Sequence, residues 1–244
     1  MKRWTFTAGL VTLMALAVFW LWIQVFALSA IVRGGPGPPS LVLLHGYGSR
    51  AEEWLQFVGK IQAPAHARLM FPQGPLRSPT GQRGWWWLQL EGYMPRDGDG
   101  LPDLSSSRPA GIKVASQLVR NLLKDVHEPI VLGGFSQGAM LSAEIAFQTD
   151  QKLAALILLS GTPVNEAAWV ERFPGRRQLP IFIAHGRNDG VLSFAAMERF
   201  QARTRAAGLD VTWFPFDGGH DIPDVVIQAM NTFLARLKIG LSPL

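Results

Sequence analysis

The sequence predicts an α/β domain: a mostly parallel sheet with helices on both faces. Two patterns carry that expectation. Short runs that are apolar throughout alternate with longer segments of helical spacing, as strands buried on both faces do when helices connect them. Nearly every suggestive polar residue also falls just past one of the short runs, where parallel sheets gather their chemistry. The composition agrees: 244 residues, 48% hydrophobic and 17% charged, suffice for one large core and exclude a disordered or coiled-coil chain.

Taken in order, the chain begins with Met1-Lys2-Arg3, and residues 8–32 then carry no charge and are rich in Leu, Val, Ala, Phe and Trp. At about 1.5 Å per residue such a stretch spans a ~30 Å hydrocarbon core. An apolar N-terminal helix is therefore expected over residues 1–33, as an uncleaved transmembrane anchor, with a signal peptide and a buried core helix as its competitors. Ala27-Leu28-Ser29 before Ala30 has the small-x-small form of a cleavage site. Lys2 and Arg3 precede the run and only Arg33 closely follows it, so the positive-inside bias keeps the N-terminus cytoplasmic. The expected location is a membrane-anchored catalytic domain outside the cytoplasm, or an exported one after cleavage. Gly34-Gly35-Pro36-Gly37-Pro38-Pro39 reads as a linker over residues 34–39, with the domain over 40–244.

Residues 40–44, 68–71, 129–132, 155–159, 180–184 and 211–215 read as buried strands. Ile112, Ala115, Leu118, Val119 and Leu122 share one helical face, as do Phe194, Met197, Phe200 and Ala207, with Gly208 as a stop. Residues 91–109, rich in Gly, Pro, Ser and Asp, form a long excursion of the kind that rims a binding site. Asp97-Gly98-Asp99 with Asp103 lacks the spacing and the distal Glu of a calcium loop, so no metal is expected there.

Several function classes fall away. With no cysteine, the chain cannot build disulfides, thiolate–zinc sites, iron–sulfur clusters or a thiolate nucleophile. Net charge is +5, from 23 basic and 18 acidic residues; Lys2, Arg3 and Arg33 precede the domain, leaving 20 against 18 with no basic run. That balance is an ordinary solvated surface, and no nucleic-acid partner is expected.

Hydroxyl chemistry remains. Gly134-Phe135-Ser136-Gln137-Gly138 fits G-x-S-x-G between a strand and a helix, the setting in which glycines make room for a tight turn that lifts Ser136 above the sheet. A serine needs a base. His220, in Gly218-Gly219-His220-Asp221 after the last strand, is the best placed of five histidines; His45 and His185 precede glycines at strand ends and brace loops, while His66 and His127 lie at the opposite end of the sheet. Asp189, in the loop after the fifth strand, suits the carboxylate that orients the base, in preference to Asp217 and Asp221, which are tied to the turn of His220 itself. The oxyanion formed on attack calls for two amides, those of Gln137 and of Tyr47 in His45-Gly46-Tyr47-Gly48. Trp85, Trp86 and Trp87 are candidates for the acyl side of a pocket, for core packing, or for interfacial contact with a nearby bilayer.

Leu43-Leu44-His45-Gly46-Tyr47-Gly48, Phe71-Pro72-Gln73-Gly74, Gly133 to Met140, His185-Gly186-Arg187-Asn188-Asp189 and Gly218-Gly219-His220 together resemble the phospholipase/carboxylesterase family of α/β-hydrolases, which includes the acyl-protein thioesterases. The resemblance runs from about Ser40 to Leu237. It implies an α/β-hydrolase fold, Ser136, Asp189 and His220 as a triad, and Tyr47 and Gln137 at the oxyanion hole. The expected activity is hydrolysis of a carboxylic ester or thioester through an acyl-enzyme, without cofactor or metal, on a small-molecule or lipid substrate. Tyr47, where the family often has Leu, the three tryptophans and the N-terminal run depart from the pattern. A lysophospholipase-like lipid esterase is the alternative within the class, and a non-catalytic binding protein on the same fold the alternative outside it.

Overall fold

A computed structural model describes residues 28–88 and 96–237. The strands in chain order are β1 (Ala30–Gly34), β2 (Gly37–Leu44), β3 (Ala67–Pro72), β4 (Leu76–Arg77), β5 (Arg83–Gly84), β6 (Ile130–Phe135), β7 (Ala155–Leu159), β8 (Ile181–Gly186) and β9 (Val211–Phe216). Seven of them form one sheet in the order β1-β3-β2-β6-β7-β8-β9, and β4 and β5 make a small separate ribbon. From β3 to β9 all pairs are parallel, so each connection must cross over a face of the sheet. The helices that do so are α1 (Ile112–Leu123), α2 (Gln137–Gln148), α3 (Glu166–Arg172) and α4 (Phe194–Ala206), with α5 (Asp224–Arg236) closing the chain. All six expected strands are present within three residues of their predicted ends, and each expected helical face is buried at its centre, at Ile112, Ala115 and Val119 and at Met197 and Phe200.

The alternation of side chains along a strand divides the core in two. On β2, Val42 and Leu44 face one side and Leu41 and Leu43 the other, all four fully buried. Val42 and Leu44 share a core with Ile112 and Val119 of α1, Met140 of α2, Trp169 of α3 and Phe200 of α4. Leu41 and Leu43 pack with Trp54 of a 3-10 helix (Ala51–Phe57) and with Ile227, Met230 and Phe233 of α5. Burial on both faces explains why these strands read as continuous apolar runs.

The N-terminal boundary differs from the expectation. Residues 8–27 of the apolar run lie outside the described residues, but its end, Ala30 to Val32, is strand β1, paired antiparallel to β3 with Ala30 opposite Pro72 and Val32 opposite Met70. Ala30 packs on one core and Ile31 on the other, which a strand allows and a membrane-spanning helix does not. The expected linker turns the chain at Gly34, φ +76°, and its last residues already belong to β2. The sheet therefore begins about ten residues before Ser40. Among the described residues, no helix is long and apolar enough to cross a membrane.

Candidate active site

The site is assembled at the carboxyl end of the sheet by three turns. The first joins β6 to α2. Ser136 sits there at φ 55°, ψ −120°, a strained conformation for a residue with a Cβ. The strain persists because the neighbours leave no alternative: a Cβ on Gly138 would run into the carbonyls of Leu44 and His45, and one on Gly134 would meet the Gly138 carbonyl carbon at 2.5 Å. As a result Oγ stands above the sheet, and Gln137 occupies the first turn of α2, where amides lack intrahelical partners.

The other two turns follow β8 and β9, and backbone hydrogen bonds zip them together: Arg187 N–H donates to the Phe216 carbonyl at 2.9 Å and Asn188 N–H to that of Gly218 at 3.0 Å. A side chain on Gly186 would occupy the space of the Gly218 and Gly219 carbonyls, so glycine there permits the close approach. Across this seam His220 Nδ1 lies 2.7 Å from Asp189 Oδ2, and His220 Nε2 lies 3.0 Å from Ser136 Oγ. A carboxylate only accepts, so Nδ1 carries the proton, leaving the Nε2 lone pair to accept from the serine hydroxyl. The structure thus brings Ser136, His220 and Asp189 into one hydrogen-bonded line. Asp217 instead points into solvent beside Arg187 at 3.6 Å.

Asp189 holds four hydrogen bonds. Oδ1 accepts from the amides of Val191 (2.8 Å) and Leu192 (2.9 Å), and Oδ2 accepts from His220 and from His185 Nε2 at 3.2 Å. Burial alone would raise this carboxyl, but the donors from His185, His220, Leu192 and Val191 outweigh it and hold the group far below the usual carboxylate range. His185 is fully buried and divides its Nε2–H between Asp189 and the Leu192 carbonyl, also at 3.2 Å, while its Nδ1 has no hydrogen-bond partner among the described residues.

The loop after β2 approaches from the other side; a Cβ on Gly46 would lie 3.2 Å from that of Ser136. His45 fastens the loop, donating from Nδ1 to the Gly46 carbonyl at 2.7 Å and accepting at Nε2 from the Gly74 amide at 2.9 Å. Burial pushes this imidazole below its ordinary range, against the opposing effect of its bond to Gly46, in keeping with a neutral ring. Trp85 Nε1–H donates to the His45 carbonyl at 2.8 Å. The Gln137 side chain accepts from the Trp85 amide and donates to the Trp86 carbonyl, both at 2.9 Å. Tyr47 and Gln137 both border Gly84 in this braced unit, Gln137 buried and Tyr47 partly exposed.

Two cavities flank this unit. One of about 580 Å³ is lined mainly by apolar residues, including Trp85, Trp86, Trp87, Leu104, Met140 and Val164. The other, about 310 Å³, has His220 and Phe135 in its wall. Trp85 and Trp86 are buried and hydrogen-bonded through their backbones, whereas Trp87 is 57% exposed. The acidic residues of the 96–103 loop face α4: Asp99 accepts from the Ser193 hydroxyl at 2.7 Å, and Arg199 pairs with Asp97 and Asp103.

Sequence reasoning missed the Gln137 side chain, the Trp85 indole donor and the second histidine on Asp189. The spacing of His185 and Asp189, a strand-end residue and a carboxylate four positions on, is a signal for the last. Gln137 offers none, because its partners lie 51 and 52 residues away.

Comparison with known proteins agrees with this architecture. The chain is 26% identical over 202 residues to acyl-protein thioesterase 1 of Gibberella zeae, covering 79% of this chain and 84% of that one. It is 26% identical over 212 residues to lysophospholipase-like protein 1 of Mus musculus, covering 82% and 84% respectively. Among solved structures, esterase PE8 superposes with a TM-score of 0.68 at 24% identity, over 86% of this chain and 99% of that one. Acyl-protein thioesterase 2 of Zea mays superposes with a TM-score of 0.66 at 20% identity, over 84% and 98%. The expected location, a membrane-anchored or exported catalytic domain, does not hold. Matching relatives in Gibberella zeae and Dictyostelium discoideum carry the names of acyl-protein thioesterases, and the end of the apolar run on which that expectation rested is a sheet strand. The phospholipase/carboxylesterase family model matches residues 29–238, from just before β1 to just past α5, and the chain belongs to that family.

Proposed function

We propose that this chain is a serine hydrolase that cleaves carboxylic esters or thioesters through an acyl-enzyme, with Ser136 as nucleophile, His220 as general base and then acid, and Asp189 as the orienting carboxylate. The observation that carries the reading is the unbroken line from Ser136 Oγ to His220 Nε2 (3.0 Å) and from His220 Nδ1 to Asp189 (2.7 Å) at a strained strand-to-helix turn.

Ser136 Oγ attacks the acyl carbon as its proton passes to His220 Nε2. The imidazolium that forms stays against Asp189, whose four donors keep it an anion at the moment that charge is needed. The carbonyl oxygen becomes an oxyanion, for which the backbone N–H groups of Gln137 and Tyr47 are the donors. His220 returns the proton to the departing alcohol or thiol, and a water then repeats the sequence on the acyl-serine, releasing the acid. The cavity beside Trp85, Trp86 and Trp87 is the acyl side, with Trp87 the most exposed of the three indoles.

A panel of p-nitrophenyl esters of increasing chain length, run beside an acyl-thioester and a lysophospholipid, tests the reading together with fluorophosphonate labelling. Covalent labelling of wild type and none of Ser136→Ala is expected. A folded wild-type protein that neither labels nor turns over any of these substrates would be a binding protein on this fold.

A further inference from the structure

The cavity of about 310 Å³ that borders His220 differs in kind from the apolar one beside the tryptophans. Beside His220 its wall brings the rings of Phe57 and Phe135 together with the carboxylates of Glu53 and Asp221, and among the described residues no Lys or Arg lines it. Lys60 pairs with Asp224 at 2.6 Å and Arg187 with Asp217, while His45 in the wall feels Glu53 and Glu52 as well as Arg83.

Position gives this cavity a role in the reaction. His220 hands its proton to the leaving group, so the leaving group must lie on the side of Ser136 that His220 faces, which is the side of this cavity. We propose that this cavity is the leaving-group site and that it selects alcohols or thiols carrying a positive charge over neutral and anionic ones. The proposal rests on the hydrolase reading and goes beyond it in naming the leaving-group class. Glu53 and Asp221 supply the charge, from the 3-10 helix and from the turn after β9. Phe57 and Phe135, both partly exposed, supply the rings on which a cation, unlike a carboxylate or phosphate, is attracted, with the buried Trp54 behind them. Both carboxylates are exposed, so their effect is screened: a preference of about tenfold over a neutral leaving group of the same shape, weakening as salt rises, is the expected scale.

Three S-butyryl thioesters of similar size test it: one of thiocholine, one of its uncharged isostere 3,3-dimethylbutanethiol, and one of 3-mercaptopropionate. The released thiol is read by a thiol reagent, against which the cysteine-free chain gives no background. Each kcat/KM is divided by the rate of hydroxide hydrolysis, which removes differences in leaving-group reactivity. The expected order is cationic, then neutral, then anionic. Glu53→Gln combined with Asp221→Asn should bring the cationic-to-neutral ratio close to one, while Glu171→Gln on α3 should leave that ratio as in wild type. An unchanged ratio in the double variant, or an anionic preference in wild type, overturns the proposal. Absence of turnover on all three thioesters together with absence of fluorophosphonate labelling overturns the hydrolase reading beneath it, so the two failures are distinguishable.

Discussion

Replacing Asp189 by Asn tests the geometry most directly, because the substitution keeps the size of the side chain and reverses half of its hydrogen bonding. The asparagine oxygen can still accept from the Val191 and Leu192 amides, which turns its NH2 group toward the two imidazoles. His220 must then present a lone pair at Nδ1, so its proton moves to Nε2, the atom 3.0 Å from Ser136 Oγ. A protonated Nε2 cannot take the serine proton. The expected loss in kcat is about 10³- to 10⁴-fold, or about 4–5 kcal/mol of transition-state stabilisation. His185 loses its carboxylate acceptor as well, leaving its Nε2–H only the Leu192 carbonyl and setting it against the new NH2 group, at a cost of about 1–3 kcal/mol of stability. The pH dependence has a definite sign. The folded carboxyl lies below its unfolded value of about 4, so its contribution is complete above that pH and is lost as pH falls through the folded value. The stability gap between wild type and Asp189→Asn should be constant near neutrality and shrink below about pH 4. Steady-state kinetics on a p-nitrophenyl ester and thermal unfolding across pH read these effects. Asp217→Asn should cost about tenfold or less. A large loss in Asp217→Asn with a small one in Asp189→Asn would refute the reasoning.

Four further outcomes are expected. Ser136→Ala and His220→Ala should each lower kcat by about 10⁴-fold or more in a folded protein, with the serine variant unlabelled by fluorophosphonate. A chain beginning at Leu28 should keep the wild-type melting temperature and turnover, whereas one beginning at Gly35 lacks β1, exposes the edge of β3, and should melt lower and aggregate on heating. His45 is held neutral, so its contribution to stability is present above its unfolded value of about 6.5 and fades as pH falls below it; the wild-type melting temperature should drop from about pH 7 to 5, and His45→Gln, less stable at neutrality, should show a smaller drop. Gln137→Leu leaves the Trp85 amide and Trp86 carbonyl without their partners and should cost about 1–3 kcal/mol by denaturant unfolding, with a rise in KM for long-chain esters as the tryptophan wall loosens.

The strands were legible because burial on both faces writes itself as an unbroken apolar run, and Ile130 to Leu132 or Ala155 to Leu159 admit little else at that length. Ser136 was legible because a turn at φ 55° excludes side chains from its neighbours, so glycines two residues away on either side are a steric record of the conformation. His220 and Asp189 could be placed by a different rule, since residues just beyond parallel strands converge at one edge whatever the loops between them do. β1 misled for a reason of the same kind. Its three apolar residues continue a much longer uncharged run, and a strand whose alternate residues meet two apolar cores leaves no polar beat to mark where the run changes structure.

The parts of the site that stayed hidden are those in which a buried polar side chain joins segments distant in sequence. Gln137 was read only as an amide at the helix start, yet its side chain, fully buried, takes the place of a strand neighbour for the backbone of Trp85 and Trp86. One residue thus carries the amide expected at the oxyanion and fixes the wall of the larger cavity, so a shift of the first turn of α2 would move both together. The same economy holds at Asp189, where the buried His185 and the catalytic candidate His220 share one carboxylate oxygen. Since a buried donor or acceptor without its partner costs free energy comparable to a core cavity, each of these contacts ties the geometry of the site to the stability of the fold. Variants at Gln137 and His185 should accordingly lose stability and activity together, whereas Ser136→Ala, which removes a partner only from His220 and leaves that ring its bond to Asp189, should lose activity alone.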